Sequence, residues 1–310
     1  MFVRNKNFAI LFFCWFLCGT PNLHGQAPLK HPALYFISDC QDPLPIEKLI
    51  RKAHNNREGK EVLFREIETK NEGYVFMLGD LVGKGSENVE WGSVDTFLKT
   101  IREAGTKVYA VPGNHEYLMN DSRGIANFQK RFPEMPLNGY CVRTDSMATV
   151  MLNSNFDKLP APKKEMQQKW YLAVMDSLDM DASVKIVIVC THHSPFSNSK
   201  VVGSSTKVQE AFIPRFESSP KTKLFITGHS HNLECFDGNS GKRFLVIGGG
   251  GGLDQPLYTG VQEKQKDMIS QADKPRFFYV VLQRSRNVVE VKIRGFSREM
   301  SPVSEIKLSL

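Results

Sequence analysis

The sequence predicts a layered α/β fold, and two observations lead to this class. Short runs of apolar, β-branched and aromatic residues recur along the chain, and most of them end at Gly, Asn, Asp or His. Between several of these runs, apolar residues recur with the spacing of an amphipathic helix. Short continuous apolar runs are typical of strands buried on both faces, and strands that alternate with helices indicate sheets covered by helices.

The strand prediction depends on nine runs. They cover residues 34–37, 74–78, 107–111, 148–152, 184–190, 223–227, 243–247, 277–282 and 288–293. The last third of the chain is richer in hairpin-like strands. No internal repeat, linker or domain boundary interrupts the series, so residues 26–310 are predicted to form one domain.

Three apolar stripes have helical spacing, and core contact is their expected role. The stripes are Val94, Phe97, Leu98 and Ile101; Met166, Trp170, Val174 and Leu178; and Ile46, Leu49, Ile50 and Ala53.

Composition excludes several classes of protein. The chain has 310 residues, of which 41% are hydrophobic and 24% charged, and its net charge is +7. These values are ordinary for a globular protein and exclude collagen-like, low-complexity or wholly disordered chains. The positive charge permits an anionic partner. No nucleic-acid-binding module accompanies it, so no nucleic acid partner is expected.

The N-terminus differs from the rest of the chain. Arg4 and Lys6 precede an apolar run at 8–18, and the turn-prone stretch 19–22 follows. These are the parts of a secretory signal peptide, and the run is well short of the roughly 20 residues that span a membrane. We predict a signal peptide over residues 1–25, a secreted or periplasmic location, and no membrane span after its removal. An uncleaved membrane anchor is the alternative.

Cysteines do not indicate a thiolate metal site. Two of the six belong to the predicted leader, and the others are Cys40, Cys141, Cys190 and Cys235. None has the CxxC spacing of a zinc ribbon. We expect four buried thiols that behave as small apolar residues.

Polar side chains follow five of the predicted strands. The strand exits are Asp39, Gly79-Asp80, Pro112–Glu116, Thr191–Pro195 and Gly228–His231, and they hold five of the eight histidines. Ligand sites of open α/β sheets lie beyond the carboxyl ends of the strands. Carboxylate and imidazole suit zinc, iron and manganese, and two such ions can clamp the oxygens of a phosphate ester. The exits therefore predict a dinuclear metal centre.

These motifs, in this order, resemble the calcineurin-like metallophosphoesterases over roughly residues 34–250. The His193-x-Pro195 motif and Gln167-x-x-Trp170 ahead of it are most similar to the small purple acid phosphatases. The resemblance implies the metallophosphatase fold, a four-layer αββα sandwich in which two facing mixed β-sheets are flanked by helices. It also implies two divalent or trivalent metal ions (Fe, Zn or Mn) and a metal-bound hydroxide that attacks phosphorus.

The resemblance assigns a ligand to each strand exit. Asp80 corresponds to the carboxylate that bridges the two ions. The other ligands of the second ion correspond to Asn114, His193 and His229, and those of the first ion to Asp39 and His231.

Three residues are expected to meet the substrate, a small-molecule phosphate ester. His115 resembles the residue that stabilises the transition state or protonates the leaving oxygen, with a carboxylate expected to orient it. Asn114 is expected to contact substrate as well as metal. His192 precedes a ligand and is a candidate phosphate contact, and strand alternation allows the alternative that it turns into the core.

The first metal site departs from the family pattern. Most members have Asp-x-His on the first strand, whereas this chain has Asp39-Cys40-Gln41. Purple acid phosphatases instead use a Tyr three residues after the bridging Asp, and that position is Gly83. Gln41 is a candidate ligand through its amide oxygen, and Cys40 is expected to point the opposite way. We expect a weaker or differently filled first site and no purple colour.

The sequence therefore predicts an exported metal-dependent phosphoesterase that acts on phosphomonoesters. A phosphodiesterase or nucleotidase of the same fold is the near alternative. A degenerate member that binds phosphate ligands without turnover is an alternative of another class. The Gly248–Gly252 run is expected to be a flexible strand exit, because no helix with Lys-Ser or Lys-Thr follows it as in a phosphate-binding loop.

Overall fold

The computed structural model describes residues 32–50, 54–70, 73–285 and 288–309. The predicted leader at 1–25 lies outside these residues, as does Ala53 of the third predicted stripe. No helix in the described ranges has both the length and the apolar character needed to cross a membrane.

Strands and helices alternate along most of the chain. The strands are β1 (Leu34–Ile37), β2 (Tyr74–Met77), β3 (Lys107–Ala110), β4 (Tyr140–Thr144), β5 (Met147–Met151), β6 (Ile186–Cys190), β7 (Thr222–Thr227), β8 (Leu233–Asp237), β9 (Arg243–Ile247), β10 (Phe277–Ser285), β11 (Val288–Phe296) and β12 (Ile306–Ser309). The helices are α1 (Pro45–Ile50), α2 (Asn56–Glu68), α3 (Gly92–Glu103), α4 (Asp121–Arg131), α5 (Ala161–Met180) and α6 (Thr206–Ser218).

The strands form two mixed sheets of six. One sheet has the order β12-β11-β10-β1-β2-β3, and the other has the order β4-β5-β6-β7-β9-β8. β1, β2 and β3 are parallel to one another, as are β5, β6, β7 and β9. The residues that follow β1, β2 and β3 therefore lie together at the carboxyl ends of these strands in the first sheet. Those that follow β6 and β7 lie together at the carboxyl ends of these strands in the second sheet.

Three apolar clusters bind the layers together. The first lies between the sheets and includes Phe36 of β1 and Ile188 of β6. The second joins the outer face of the first sheet to α2 and α3, through residues such as Leu63 and Phe97. The third joins the outer face of the second sheet to α5 and α6, through Phe212 among others. The predicted four-layer αββα sandwich is confirmed.

All nine predicted strands are present, and three further strands are not among those predicted. β4, β8 and β12 are the missed strands, and each lies at an edge of its sheet. β4 and β12 are partly exposed and contain polar residues, so neither is a continuous apolar run. β8 is buried at residues 233–236, but Glu234 interrupts its apolar run. The prediction depended on such runs and therefore missed these strands.

The stripe predicted on α5 is confirmed in part: Leu178 is buried, and Trp170 and Val174 are half-buried against the third apolar cluster. Met166 is 51% exposed, whereas Gln167, Tyr171 and Met175 are buried. The side chain of Gln167 exchanges hydrogen bonds of 3.0 and 2.9 Å with the backbone of Asn153. A polar residue that is satisfied inside the protein thus replaces an apolar one on the buried face. The stripe predicted on α3 is buried as expected.

Candidate metal centre

The strand exits have an unusual backbone conformation. Asp39, Asp80, His229 and His231 have φ angles of 58°, 51°, 71° and 49°. Non-glycine residues rarely adopt the left-handed region, and such residues cluster at functional sites. Four of the predicted metal ligands therefore turn sharply at the point where their strands end.

Glycines let these turns approach one another. A Cβ atom on Gly228 would lie 2.3 Å from Oδ2 of Asp39, and one on Gly113 would lie 2.2 Å from Oδ1 of Asp80. The backbone N–H of His229 donates to both carboxylate oxygens of Asp39, at 3.1 and 2.9 Å. The exits of the two sheets thus meet at one place.

Asp39, Gln41 and His231 form the first group of candidate ligands. Nδ1 of His231 donates to the carbonyl of Leu253 at 2.6 Å, and its Nε2 lies 3.4 Å from Oδ1 of Asp39. The Gln41 amide is satisfied only when its nitrogen donates to the carbonyls of Asp39 and Asp80 and its oxygen faces Nε2 of His231 at 3.0 Å. Gln41 therefore lies where its amide oxygen can serve as a ligand.

Asp80, Asn114, His193 and His229 form the second group, together with His192. The rings of His193 and His229 are 4.4 Å apart between centroids. One nitrogen each of His192, His193 and His229 lie within 4.8 Å of one another. Nε2 of His192 lies 3.3 Å from Oδ2 of Asp80 and 3.1 Å from Oδ1 of Asn114.

The protonation states of His193, His229 and Asp80 suit metal ligation. Burial lowers the pKa of His193 to about 3 and that of His229 well below its usual value. Burial alone would raise the pKa of Asp80, but the imidazoles of His192 and His115 outweigh it, so the pKa lies well below its usual range. Neutral imidazole and ionised carboxylate are the forms that bind metal ions.

The donor atoms fit the metals that the family implies. In each group a carboxylate oxygen, an amide oxygen and an imidazole Nε2 converge, at distances of 3.0 to 3.4 Å from Nε2. Each of these imidazoles commits its Nδ1–H to a backbone carbonyl. Either a proton on Nε2 or a bound cation satisfies these contacts, and mixed O and N donors of this kind suit zinc, iron or manganese.

His115 lies beside the bridging position, and a backbone carbonyl orients it. Its Nδ1 donates to the carbonyl of Gly83 at 2.7 Å, and its Nε2 lies 3.9 Å from Oδ2 of Asp80. Burial opposes the charged ring, but Asp80 and the Gly83 carbonyl together raise the pKa of His115. The expectation that a carboxylate orients this ring was wrong.

Glu116 has a role that the sequence did not indicate. Its buried carboxylate accepts three backbone hydrogen bonds, from Asp80 at 2.9 Å, Leu81 at 2.8 Å and Gly113 at 2.6 Å. Burial and the charge of Asp80 raise the pKa of Glu116 to about 7. Glu116 thus joins the exits of β2 and β3, and its sequence position beside His115 was the only signal.

His192 and Asn114 are the two predicted substrate contacts, and they differ in exposure. The His192 side chain is fully buried, which favours the alternative that it turns inward. Its ring lies beneath the ligand groups, hydrogen-bonded through Nδ1 to the Leu78 carbonyl at 2.8 Å. Asn114 is partly exposed beside it, so a substrate contact through Asn114 stays a prediction.

The cysteines lie outside the ligand groups. Cys40 is buried among apolar residues between the first sheet and its helices, and burial raises the pKa of its thiol. Cys141, Cys190 and Cys235 are also free thiols, and two of these three are buried. Three of the four thiols that were expected to be buried are therefore buried, whereas Cys141 is half-buried.

The Gly248–Gly252 run, which was expected to be a flexible strand exit, is buried and hydrogen-bonded to the first strand exit. Its five residues are buried. Gly250 and Gly252 donate backbone hydrogen bonds to the carbonyls of Ser38 and Asp39 at 3.0 and 2.9 Å. A Cβ atom on Gly252 would lie 2.7 Å from the ring of His231. Glycine is required here for close contact with the first ligand group.

Solved structures with the same fold include two phosphatases. The chain shares 15% identity and a TM-score of 0.67 with purple acid phosphatase PPD1 of yellow lupin, covering 90% of this chain and 54% of the lupin chain. It therefore spans about half the length of that enzyme. A dimetal phosphatase of Danio rerio has 17% identity, a TM-score of 0.55, and coverage of 90% of this chain and 99% of its own.

A third solved structure with this fold is GAP50, described as the anchor in the inner membrane complex of Plasmodium. It shares 16% identity and a TM-score of 0.67, with coverage of 90% of this chain and 89% of its own. At such identities these likenesses show the fold alone.

Sequence comparison identifies the family. No curated protein matches the chain. The family model described as calcineurin-like phosphoesterase matches residues 33–233, which is more than half of the 310 residues and includes all five strand exits that hold the candidate ligands. The chain therefore belongs to the calcineurin-like phosphoesterase family.

Proposed function

We propose that this protein is an exported, metal-dependent phosphoesterase that hydrolyses phosphomonoesters at a dinuclear centre. One observation carries the proposal: two adjoining groups of candidate ligands share one place with His115, and Asp80 lies between them. One oxygen each of Asp39 and Asp80 and a nitrogen of His192 fall within 4.8 Å of one another, which links the two groups. The fold likeness to two phosphatases supports the same conclusion.

Each residue of the site has a distinct task. When bound, two metal ions activate water and offset the charge of the phosphoryl oxygens. Asp80 is held by the backbone N–H of His115, which donates to its Oδ1 at 2.8 Å, and its Oδ2 stays directed at the imidazoles. The Gly83 carbonyl binds Nδ1 of His115, so Nε2 is the atom that donates to the phosphoryl or leaving oxygen. Asn114, which is partly exposed, would bind a phosphoryl oxygen.

The proposed export depends on the predicted leader at residues 1–25. After its removal the chain would carry 38 basic and 33 acidic residues, because Arg4 and Lys6 are lost from the 40 and no acid is. Its charge would therefore be 38 − 33 = +5, which still attracts an anionic ester. Secretion of the full chain in a bacterial host, followed by N-terminal sequencing of the product, tests this part.

The activity is tested with the secreted protein, stripped of metal and reloaded with Zn²⁺, Mn²⁺ or Fe. We expect turnover of an aryl phosphate monoester that a chelator abolishes and the metal restores. Faster turnover of an aryl phosphodiester would favour the diesterase alternative. One ion or none per chain, with no hydrolysis under any of these metals, would favour the non-catalytic phosphate-binding alternative.

A further inference from the structure

We infer that His192 is itself a metal ligand, which binds through Nε2 the ion held by Asp80 and Asn114. The inference builds on the metal centre of the proposed function and adds a ligand that the family motifs do not assign.

The orientation of the ring is that of a ligand. Nδ1 faces the carbonyl of Leu78 at 2.8 Å, and because a carbonyl only accepts, Nδ1 carries the hydrogen. Metal-binding histidines characteristically donate their second ring nitrogen in this way. Nε2 is thereby directed at Oδ2 of Asp80 and Oδ1 of Asn114, at 3.3 and 3.1 Å.

A neutral ring with Nδ1–H committed would leave Nε2 facing a carboxylate oxygen and an amide oxygen with no donor between them. Burial opposes the charged ring, but Asp80 outweighs it and raises the pKa of His192 to about 9, so without an ion a second proton occupies Nε2. A metal ion bound by the two oxygens would replace that proton. His192 also belongs to both sets of potential ligand atoms found among the described residues, one with His193 and His229 and one with Asp39 and Asp80. A shared cation satisfies all of these acceptors together.

The surrounding backbone leaves room for the ring. A Cβ atom on Gly79 would lie 2.8 Å from Nδ1 of His192, and one on Gly113 would lie 2.8 Å from its Cε1. Both glycines come directly before predicted ligands, Asp80 and Asn114. The imidazole therefore occupies a slot between two strand exits, which fixes it against the ligand groups.

The extra imidazole makes the two metal positions unequal. The first group has one carboxylate, one neutral amide and one imidazole of its own, because Gln41 stands where most of the family has His. With His192, the second group has three imidazoles, an amide and the shared carboxylate of Asp80. The two ions should therefore bind in sequence, the first equivalent at the second group.

Zinc titration of the metal-free protein tests the assignment. For His192→Gln we expect the Kd for the first equivalent to rise at least about tenfold, since loss of even an outer partner of a ligand costs 10- to 100-fold. His115→Gln is the matched control, the same substitution beside the site on a residue that is not a ligand, and its Kd should equal the wild-type value. An unchanged Kd in His192→Gln overturns the inference.

A crystal structure of the zinc-loaded wild-type protein gives a result even if His192→Gln does not fold. We expect Nε2 of His192 at about 2.0–2.1 Å from zinc. A separation above about 3 Å, outside any Zn–N bond, overturns the inference. Zinc bound through His192 in a protein with no phosphoesterase turnover would refute the proposed function alone. Turnover with His192 unbound would refute this inference alone.

Discussion

His115 is held by a backbone carbonyl, and this makes its role separable from metal binding. The Gly83 carbonyl fixes Nδ1, Nε2 lies 3.9 Å from Oδ2 of Asp80, and His115 belongs to neither set of potential ligand atoms found among the described residues. His115→Gln should therefore lower kcat by about 10²- to 10⁴-fold, the usual contribution of a general acid or base. The bound metal per chain should stay at its wild-type value. Loss of metal together with activity would show that His115 is a ligand instead.

Glu116 should stabilise the protein by holding the backbone turns at Asp80 and Gly113. Three backbone N–H groups point at its carboxylate, and a glutamine would turn an N–H₂ group toward at least one of them. We expect Glu116→Gln to lower the free energy of unfolding by about 1–3 kcal/mol, the cost of leaving a buried backbone N–H without an acceptor.

Chemical denaturation of the metal-free protein measures the change. Glu103→Gln, at the exposed end of α3, is the control and should stay within about 0.5 kcal/mol of wild type. Equal stabilities of Glu116→Gln and wild type would mean that the backbone turns at Asp80 and Gly113 hold without the carboxylate.

At the scale of elements, the strand exits depend on glycines that have no space for a side chain. A Cβ atom on Gly228, at the end of β7, would lie 2.0 Å from Oγ of Ser38 and 2.3 Å from Oδ2 of Asp39. Gly228→Ala should destabilise the protein by about 1–3 kcal/mol through overpacking and should weaken metal binding as Asp39 shifts.

Gly92→Ala is the matched control for Gly228→Ala. Gly92 begins α3 in helical conformation and a Cβ atom there meets nothing within 4 Å. Alanine should be neutral or stabilise by up to about 1 kcal/mol at that position. Thermal unfolding of both variants, with and without zinc, compares them. Similar unfolding midpoints for the two would contradict the close approach of β1 and β7.

A buried carboxylate anchors the loop between β6 and α6. Glu234 of β8 accepts from Oγ of Ser197 at 2.7 Å, the backbone N–H of Asn198 at 2.7 Å and Oγ of Ser230 at 3.1 Å. Burial, opposed by the first two hydrogen bonds, raises the pKa of Glu234. A raised folded-state pKa means that this contribution to stability is present below the unfolded pKa and is lost as pH rises through the folded value.

Glu234→Gln removes that titration. The free energies of unfolding of wild type and variant are measured across the acidic range. Their difference should change with pH, because the wild type should lose stability relative to the variant as pH rises. A constant difference over the range would contradict the raised pKa. All other titratable groups are the same in the two proteins, so their contributions to the pH dependence should cancel in the difference.

At the scale of the whole molecule, sequence periodicity predicted the layers, and the motifs predicted which strand ends meet. Continuous apolar runs identify strands with both faces buried, so the partly exposed strands β4 and β12 were not predicted. β8 was not predicted because the buried Glu234 interrupts its apolar run. Contacts that join distant parts of the chain were also beyond prediction. The partners of Glu116 and His115 are backbone groups at Gly113 and Gly83, whose direction depends on the turn and not on residue type.

The metal centre should tie the two sheets together. Asp39, Asp80 and Asn114 follow β1, β2 and β3 of one sheet, whereas His193 and His229 follow β6 and β7 of the other.

An ion that binds only the folded protein adds about 2.7 kcal/mol to the free energy of unfolding at a hundredfold excess over its Kd. In a large domain each kcal/mol shifts Tm by about 2 °C, so chelation should lower Tm by about 5 °C for each ion lost. Calorimetry of the zinc-loaded and chelated protein measures the shift, and Asp80→Asn, which removes the carboxylate predicted to bridge the two ions, should respond much less. The same Tm with zinc and with chelator would mean that the sheets are held by their apolar core alone, because removing the ions would then leave the free energy of unfolding unchanged.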